Sequence, residues 1–393
     1  MKKIYNSKLI RIIIIILYFK PICIQYYSKL KIIESIFVYG KILAAIFILL
    51  MEIIKIRKTS KIKINNFLIA FSIWQIYLFI ITIINKGDVY RYLINFVSMF
   101  TFIVFVTNCF CFDKNTTISI FERVFFGIML IQLLTEIIFP SGMPADLYKN
   151  NLRNRLFFET LDNGTTGLVC ITIGLIFLDN KKITNIWKII KLILCMITIV
   201  LAQTSTGIFC CLALIIINYF LGFKELKVLD KWYIWLFIYF IIWSSLMIGN
   251  GFLYDITSNI TGKQSFTGRG LLWKNAIILI KKSPIYGYGI QVQDYISAWG
   301  GYYSSHNMLL EILLQGGIVG GMLWCNMLNK VFINKKNING TRETRNIFFT
   351  IFCLLIAYLM EAKVMSNYLF LFLILYWNWK NIREEGRNER KEN

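Results

Sequence analysis

The only histidine in this chain of 393 residues is His306, in Ser305-His306-Asn307 just ahead of an apolar run. One histidine cannot build a His-based metal site or a two-His relay, so acid–base work there must draw on other residue types. The start of a helix disfavours a protonated imidazole, because that end of the dipole is positive, and a general base must be neutral to accept a proton. The plainer alternative is a histidine that caps the helix or lies at the membrane interface. Glu311 stands one turn beyond Asn307, where an ionisable residue near the edge of an apolar run is a functional candidate or holds a lysine or arginine. The second chemical group is cationic. Arg269 lies between Gly268 and Gly270, with Lys274 following, and Arg153 and Arg155 lie in NLRNRLFFETLD. Guanidinium forks bind anions; the alternative is pairing with lipid headgroups or with Asp146, Glu159 or Asp162. Glu159 and Asp162 are three apart and could share one helical face, with a shared metal the lesser reading. No external acidic pair has DxD spacing, and Walker and GxSxG motifs are absent. The site is expected to hold neither metal nor cofactor.

These residues need a scaffold, and the composition supplies an apolar one. A chain that is 57% hydrophobic, with mean hydropathy +0.61, is too apolar for a soluble domain. Apolar runs of the length that crosses about 30 Å of hydrocarbon recur along it. They cover residues 1–19, 32–54, 64–84, 92–112, 118–139, 161–178, 186–202, 208–221, 232–249, 307–328, 346–360 and 367–379. The expected fold is an all-α, polytopic transmembrane helix bundle of about twelve spans. The first run has the basic start and short apolar core of a signal peptide, but no small-x-small cleavage site follows, so it reads as an uncleaved span. The nine cysteines lie in or at the ends of the runs with no CxxC among them, which suits packing.

Charge placement sets the orientation. The net charge of +22 concentrates in alternate loops: residues 55–63, 181–182, 224–231, 330–345 and the tail from Lys380. Under the positive-inside rule these loops and both termini are cytoplasmic, although Lys29 and Lys31 fall on the other side. The excess charge is then topological and needs no nucleic-acid partner. The chain divides into a bundle over 1–249 with an external loop at 140–160, a large external loop over 250–306 bearing the catalytic candidates, and a C-terminal part, 307–393, with the last three spans and a basic tail. Within the large loop, Leu271–Lys282 has apolar residues at helical spacing, which predicts an amphipathic helix at the outer interface. Ser283-Pro284 and Gly287-Tyr288-Gly289 mark a turn after it. Gly316, Gly317, Gly320 and Gly321 in the tenth run read as small-residue faces for helix packing.

Taken together, GRGLLWKNAIILIKKSPIYGYG and HNMLLEILLQGGIVGG resemble the signature of the O-antigen polymerase and O-antigen ligase family, polytopic proteins of the bacterial envelope. Weaker agreement reaches back to NRLFFETLDNGTTG. In AQTSTG (Ala202–Gly207) the arginine that members often carry is missing, which leaves more of the role to Arg155 and Arg269. The resemblance spans about residues 150–325. It implies a metal-independent, inverting transfer of glycan from undecaprenyl pyrophosphate to a hydroxyl at the outer face of the bacterial cytoplasmic membrane. By this resemblance Arg155 and Arg269 match the pyrophosphate-binding arginines and His306 the histidine that activates the acceptor. Arg153, Lys274, Asn307 and Glu311 are the supporting candidates. Implied partners are the lipid-linked glycan donor and acceptor, membrane lipid, a chain-length regulator and a flippase.

Three functions compete. A polymerase joins lipid-linked repeat units into O-antigen or capsule, whereas a ligase moves finished glycan to lipid A core or another envelope acceptor. The third is a polysaccharide flippase or transporter. Transporters usually show duplicated halves with matched broken helices, and no such halves are visible here.

Overall fold

The computed structural model describes residues 7–59, 66–144, 155–161, 164–179, 185–220, 232–247, 269–290, 304–332 and 342–392. Arg153, Asp162, Gly268 and most of the loop over 250–306 lie outside them.

The described residues form helices and turns with one isolated β-bridge, Leu156 to Leu161. The main helices are α1 (Lys8–Tyr18), α2 (Lys31–Thr59), α3 (Asn66–Ile84), α4 (Val89–Phe112), α5 (Lys114–Ile138), α6 (Thr165–Leu178), α7 (Asn185–Leu201), α8 (Ser205–Phe220), α9 (Trp232–Met247), α10 (Arg269–Lys282), α11 (Met308–Phe332), α12 (Arg342–Ala357) and α13 (Asn367–Glu392). All but α10 fall on the apolar runs of the sequence, and α10 is the helix expected inside the long loop. Five stretches are long and apolar enough to cross a bilayer: Ser28–Arg57, Asn66–Ile84, Val89–Phe112, Lys114–Ile138 and Met308–Phe332. Thr165–Leu178, Ser205–Tyr219 and Trp232–Met247 are shorter apolar helices.

Helix α6 is the axis of the bundle. All fourteen of its residues are buried, and α5, α8 and α12 pack around it. A helix that is apolar all round must be enclosed by protein or lipid, and here protein does it. Gly174 admits the Phe372 ring and the Thr350 hydroxyl, each within 2.7 Å of where a Cβ would stand. By contrast α2 turns Ile32, Ile36, Leu43, Ile46 and Leu50 outward, the surface expected of a helix that faces lipid. Seven of the nine free cysteines are buried, while Cys111 and Cys325 are exposed.

Helix α11 departs from the sequence reading. Gly317 has φ 59° and ψ −160°, a region open in practice only to glycine, and the helix breaks there. The turn after α10 fills the break. Tyr288 N donates to Leu314 O (2.8 Å), Gly289 N to Gln315 O (2.8 Å) and Ile318 N to Pro284 O (2.8 Å). The Tyr77 hydroxyl on α3 donates to Gly316 O at 2.9 Å. Backbone groups freed in an apolar setting must find partners, and these contacts supply them. The glycine pair therefore opens the helix to receive the Pro284–Gly289 turn, in addition to packing against α3. That junction fixes α10, with Arg269 at its first residue, relative to α11.

Candidate functional site

A cavity of about 530 Å³ lies where α1 and α12 end and α6, α11 and α13 begin. Its lining includes Lys20, Glu159, His306, Glu361, Lys363 and Tyr368. Apart from Tyr368, which lies in the first turn of α13, these come from four separate connections, and all four are loops that the charge pattern assigns to one side.

His306 is set by its neighbours on the chain. Asn307 caps α11: its Oδ1 accepts from Leu310 N at 3.1 Å, and its Nδ2 donates to Leu359 O at 3.0 Å. Met308 N adds a bond to Tyr358 O at 2.9 Å. The cap thus ties the start of α11 to the connection between α12 and α13. Glu311 Oε2 accepts from Ser305 N (3.0 Å) and the Ser305 hydroxyl (2.9 Å), and its Oε1 from Gln315 Nε2 (3.1 Å). Glu311 anchors backbone rather than a lysine or arginine among the described residues. Held from both sides, His306 takes a left-handed backbone, φ 49°, which is uncommon outside glycine and asparagine. It is not the cap. Its Nδ1 is buried and has no hydrogen-bond partner among the described residues.

Arg269 stands beside it. Its Nη2 lies 3.5 Å from Glu361 Oε1, and both side chains are largely buried, 12% and 17% exposed. Burial pushes the His306 imidazole below its ordinary value; Glu361 opposes this, and Arg269 and Lys363 add to it. The shift favours the neutral ring, the form a base needs. Across the cavity, burial pushes the Glu159 carboxyl up to about 8 despite the hydrogen bond from the Tyr368 hydroxyl.

The other expected residues lie elsewhere. Arg155 is not among the residues lining the cavity. Its guanidinium donates to Pro140 O (3.0 Å), Leu201 O (3.2 Å) and Ala202 O (2.8 Å), so it closes the carbonyl end of α7. That end leads into the AQTSTG element, Ala202–Gly207. Lys274 is exposed on α10 and does not line the cavity. Arg153 lies outside the described residues. Glu159 sits in an irregular segment rather than on a helix face, and Asp162 lies outside the described residues. Sequence reasoning missed Glu361 and Lys363. Their signal was a charged Glu-x-Lys in the short connection between the last two apolar runs.

His306, Glu159 and Glu361 line the cavity, and Arg269, which is not among the lining residues, stands behind it paired with Glu361. Such an imidazole can accept a proton from a hydroxyl, and such a guanidinium can hold an anionic leaving group. Fold and site together define a polytopic membrane protein whose polar pocket lies at one end of its helices. A family model described as O-antigen ligase matches residues 166–325, so this segment of the chain is similar to that family. The match takes in Arg269, Lys274, His306, Asn307 and Glu311, while Arg155, Glu159 and Glu361 lie outside it. No curated protein and no solved structure matches the chain.

Proposed function

We propose that this protein polymerises undecaprenyl-pyrophosphate-linked oligosaccharide repeat units into O-antigen or capsular polysaccharide at the outer face of the cytoplasmic membrane. The observation that carries the reading is His306, without a hydrogen-bond partner at Nδ1 among the described residues, on a cavity beside the Arg269–Glu361 pair. In the reaction, the acceptor hydroxyl gives its proton to His306 as its oxygen attacks the anomeric carbon of the donor sugar. The bond from that carbon to the pyrophosphate oxygen breaks on the opposite face, and the configuration inverts. The bonding pair leaves on the pyrophosphate, where Arg269 meets the charge with a bidentate fork. His306 then returns its proton to water. No metal is required, because the leaving group is already a stable anion.

Arg155 is the second pyrophosphate cation of this reading. To serve, it must release carbonyls that it now holds, so its engagement belongs to a substrate-bound arrangement. The convergence of four same-side loops on the cavity supports twelve crossings with both termini cytoplasmic. A chain-length regulator and a flippase would be its partners in the membrane.

Ligation is the second reading, favoured by the description of the matching family. A ligase would use the same residues with another envelope acceptor. A deletion strain separates the two. Acceptors carrying single repeat units mean polymerase, and long chains stranded on the lipid carrier mean ligase. An unchanged glycan profile contradicts both.

A further inference from the structure

Glu159 is a buried carboxyl of the cavity that the mechanism above leaves idle. It is 6% exposed, and its carboxyl is half satisfied: Oε1 accepts from the Tyr368 hydroxyl at 2.9 Å, and Oε2 is buried with no partner among the described residues. No lysine or arginine pairs with it among those residues. Leaving a carboxyl oxygen desolvated and unbonded is costly, and a buried orphan of this kind calls for an explanation.

The segment that carries it is built to hold still. Gln132 Oε1 on α5 accepts from Glu159 N (2.9 Å) and Thr160 N (3.3 Å). From the other side Ile22 N donates to Glu159 O (3.2 Å) and Cys23 N to Phe158 O (3.1 Å). Glu159 is thus fixed on the wall of the cavity by α5 and by the turn after α1. Beside it the Phe19 and Tyr368 rings, which also line the cavity, stack with centroids 5.3 Å apart and planes 10° apart. An aromatic wall with one fixed polar group is the usual make-up of a small-molecule subsite.

The chemistry of the orphan selects the ligand. A phosphate oxygen only accepts, so it suits the carboxyl when protonated and is repelled when it is not. A sugar hydroxyl both donates and accepts, so it satisfies Oε2 in either state. That matters for a carboxyl whose burial brings its proton exchange near neutral pH.

We propose that Glu159, with Phe19 and Tyr368, forms the acceptor-sugar subsite, its carboxyl hydrogen-bonding one hydroxyl of the saccharide while His306 takes the proton from another. The assignment rests on the transferase reading above. It makes Glu159 a specificity residue, because an acceptor without that hydroxyl leaves the carboxyl buried and unpaired. Sites built this way reject such analogues by factors of about 10⁴–10⁵.

The test uses the full chain in lipid nanodiscs and two probes. One is the free repeat-unit oligosaccharide, cut from its lipid by mild acid and so lacking pyrophosphate. The other is undecaprenyl pyrophosphate, which has no sugar. Affinities come from saturation-transfer NMR titration, with thermal unfolding recorded for each variant. Glu159→Ala is expected to weaken the oligosaccharide at least about tenfold and to leave undecaprenyl pyrophosphate unchanged, whereas Arg269→Ala does the reverse. Glu159→Met keeps length and bulk without either oxygen, and it decides the matter if the alanine variant unfolds. Unchanged oligosaccharide affinity in a folded variant overturns the proposal, as does loss of undecaprenyl pyrophosphate instead. A wild type that binds undecaprenyl pyrophosphate but not the oligosaccharide sinks the subsite alone. Binding of neither probe sinks the transferase reading with it.

Discussion

His306 owes its properties to the residues that surround it. Glu311 grips Ser305, Asn307 grips Leu359, and between them the backbone at His306 is held at φ 49°. Its imidazole is pushed towards the neutral form by burial and by the nearby charges of Arg269 and Lys363, against the pull of Glu361. Removing Arg269 changes two of these influences in one direction. A cation that lowers the value is lost, and Glu361, freed of its partner, raises it further. The acid limb of the kcat/KM profile reports the base in the free enzyme. In wild type it should lie below the ordinary imidazole value, with activity lost as pH falls through it. In Arg269→Ala the limb should move to higher pH, alongside a lower rate from weaker pyrophosphate binding. The measurement is a pH–rate profile of glycan transfer in reconstituted membranes, and an unmoved limb would separate Arg269 from His306.

At the scale of elements, the broken helix α11 decides where Arg269 stands. A Cβ at Gly317 would lie 2.3 Å from Ile285 O, and the backbone there has a positive φ. Gly317→Ala is therefore expected to cost about 1–3 kcal/mol in strain and to lower Tm in detergent, with transfer activity falling as α10 shifts. Gly127, in α5, is the control, since a Cβ there meets nothing within 4 Å. Gly127→Ala should be neutral or stabilising by up to about 1 kcal/mol. Equal Tm values for the two variants would mean that the turn does not depend on the break. Much of this level was legible in the sequence. The runs of apolar residues gave the helices, because burial periodicity is local, whereas the cap of α11 is Asn307 and not His306, the residue the sequence offered for it. The break at Gly317 was not legible. Its glycines read equally well as a packing face, and only the docked turn from 283–290 tells the two apart. Arg155 misled for a related reason: its partners are backbone carbonyls, which no residue type announces. Glu361 pairs with a residue 92 positions away, a distance at which one sequence carries no pairing signal.

For the whole molecule, orientation is the property on which the chemistry depends, since the donor glycan must lie on the same side as the cavity. Lys20, Glu159, His306 and Glu361 come from four connections and meet at one cavity, which is what loops on a common side do. Reporter fusions at Lys61, Gly222 and Lys336 should report cytoplasm, and a fusion at Ser265 the outside. A cytoplasmic signal at Ser265 would put the cavity on the wrong side for the reaction. The central claim, that His306 takes the acceptor proton, has one most direct test: single-turnover transfer by His306→Asn at matched protein levels. Asparagine tolerates the left-handed backbone and remains polar, yet it cannot take up the proton. The account predicts a loss of about 10²–10⁴-fold in rate with lipid-donor affinity retained. A rate within a few-fold of wild type would contradict it and leave His306 as a structural residue of the loop.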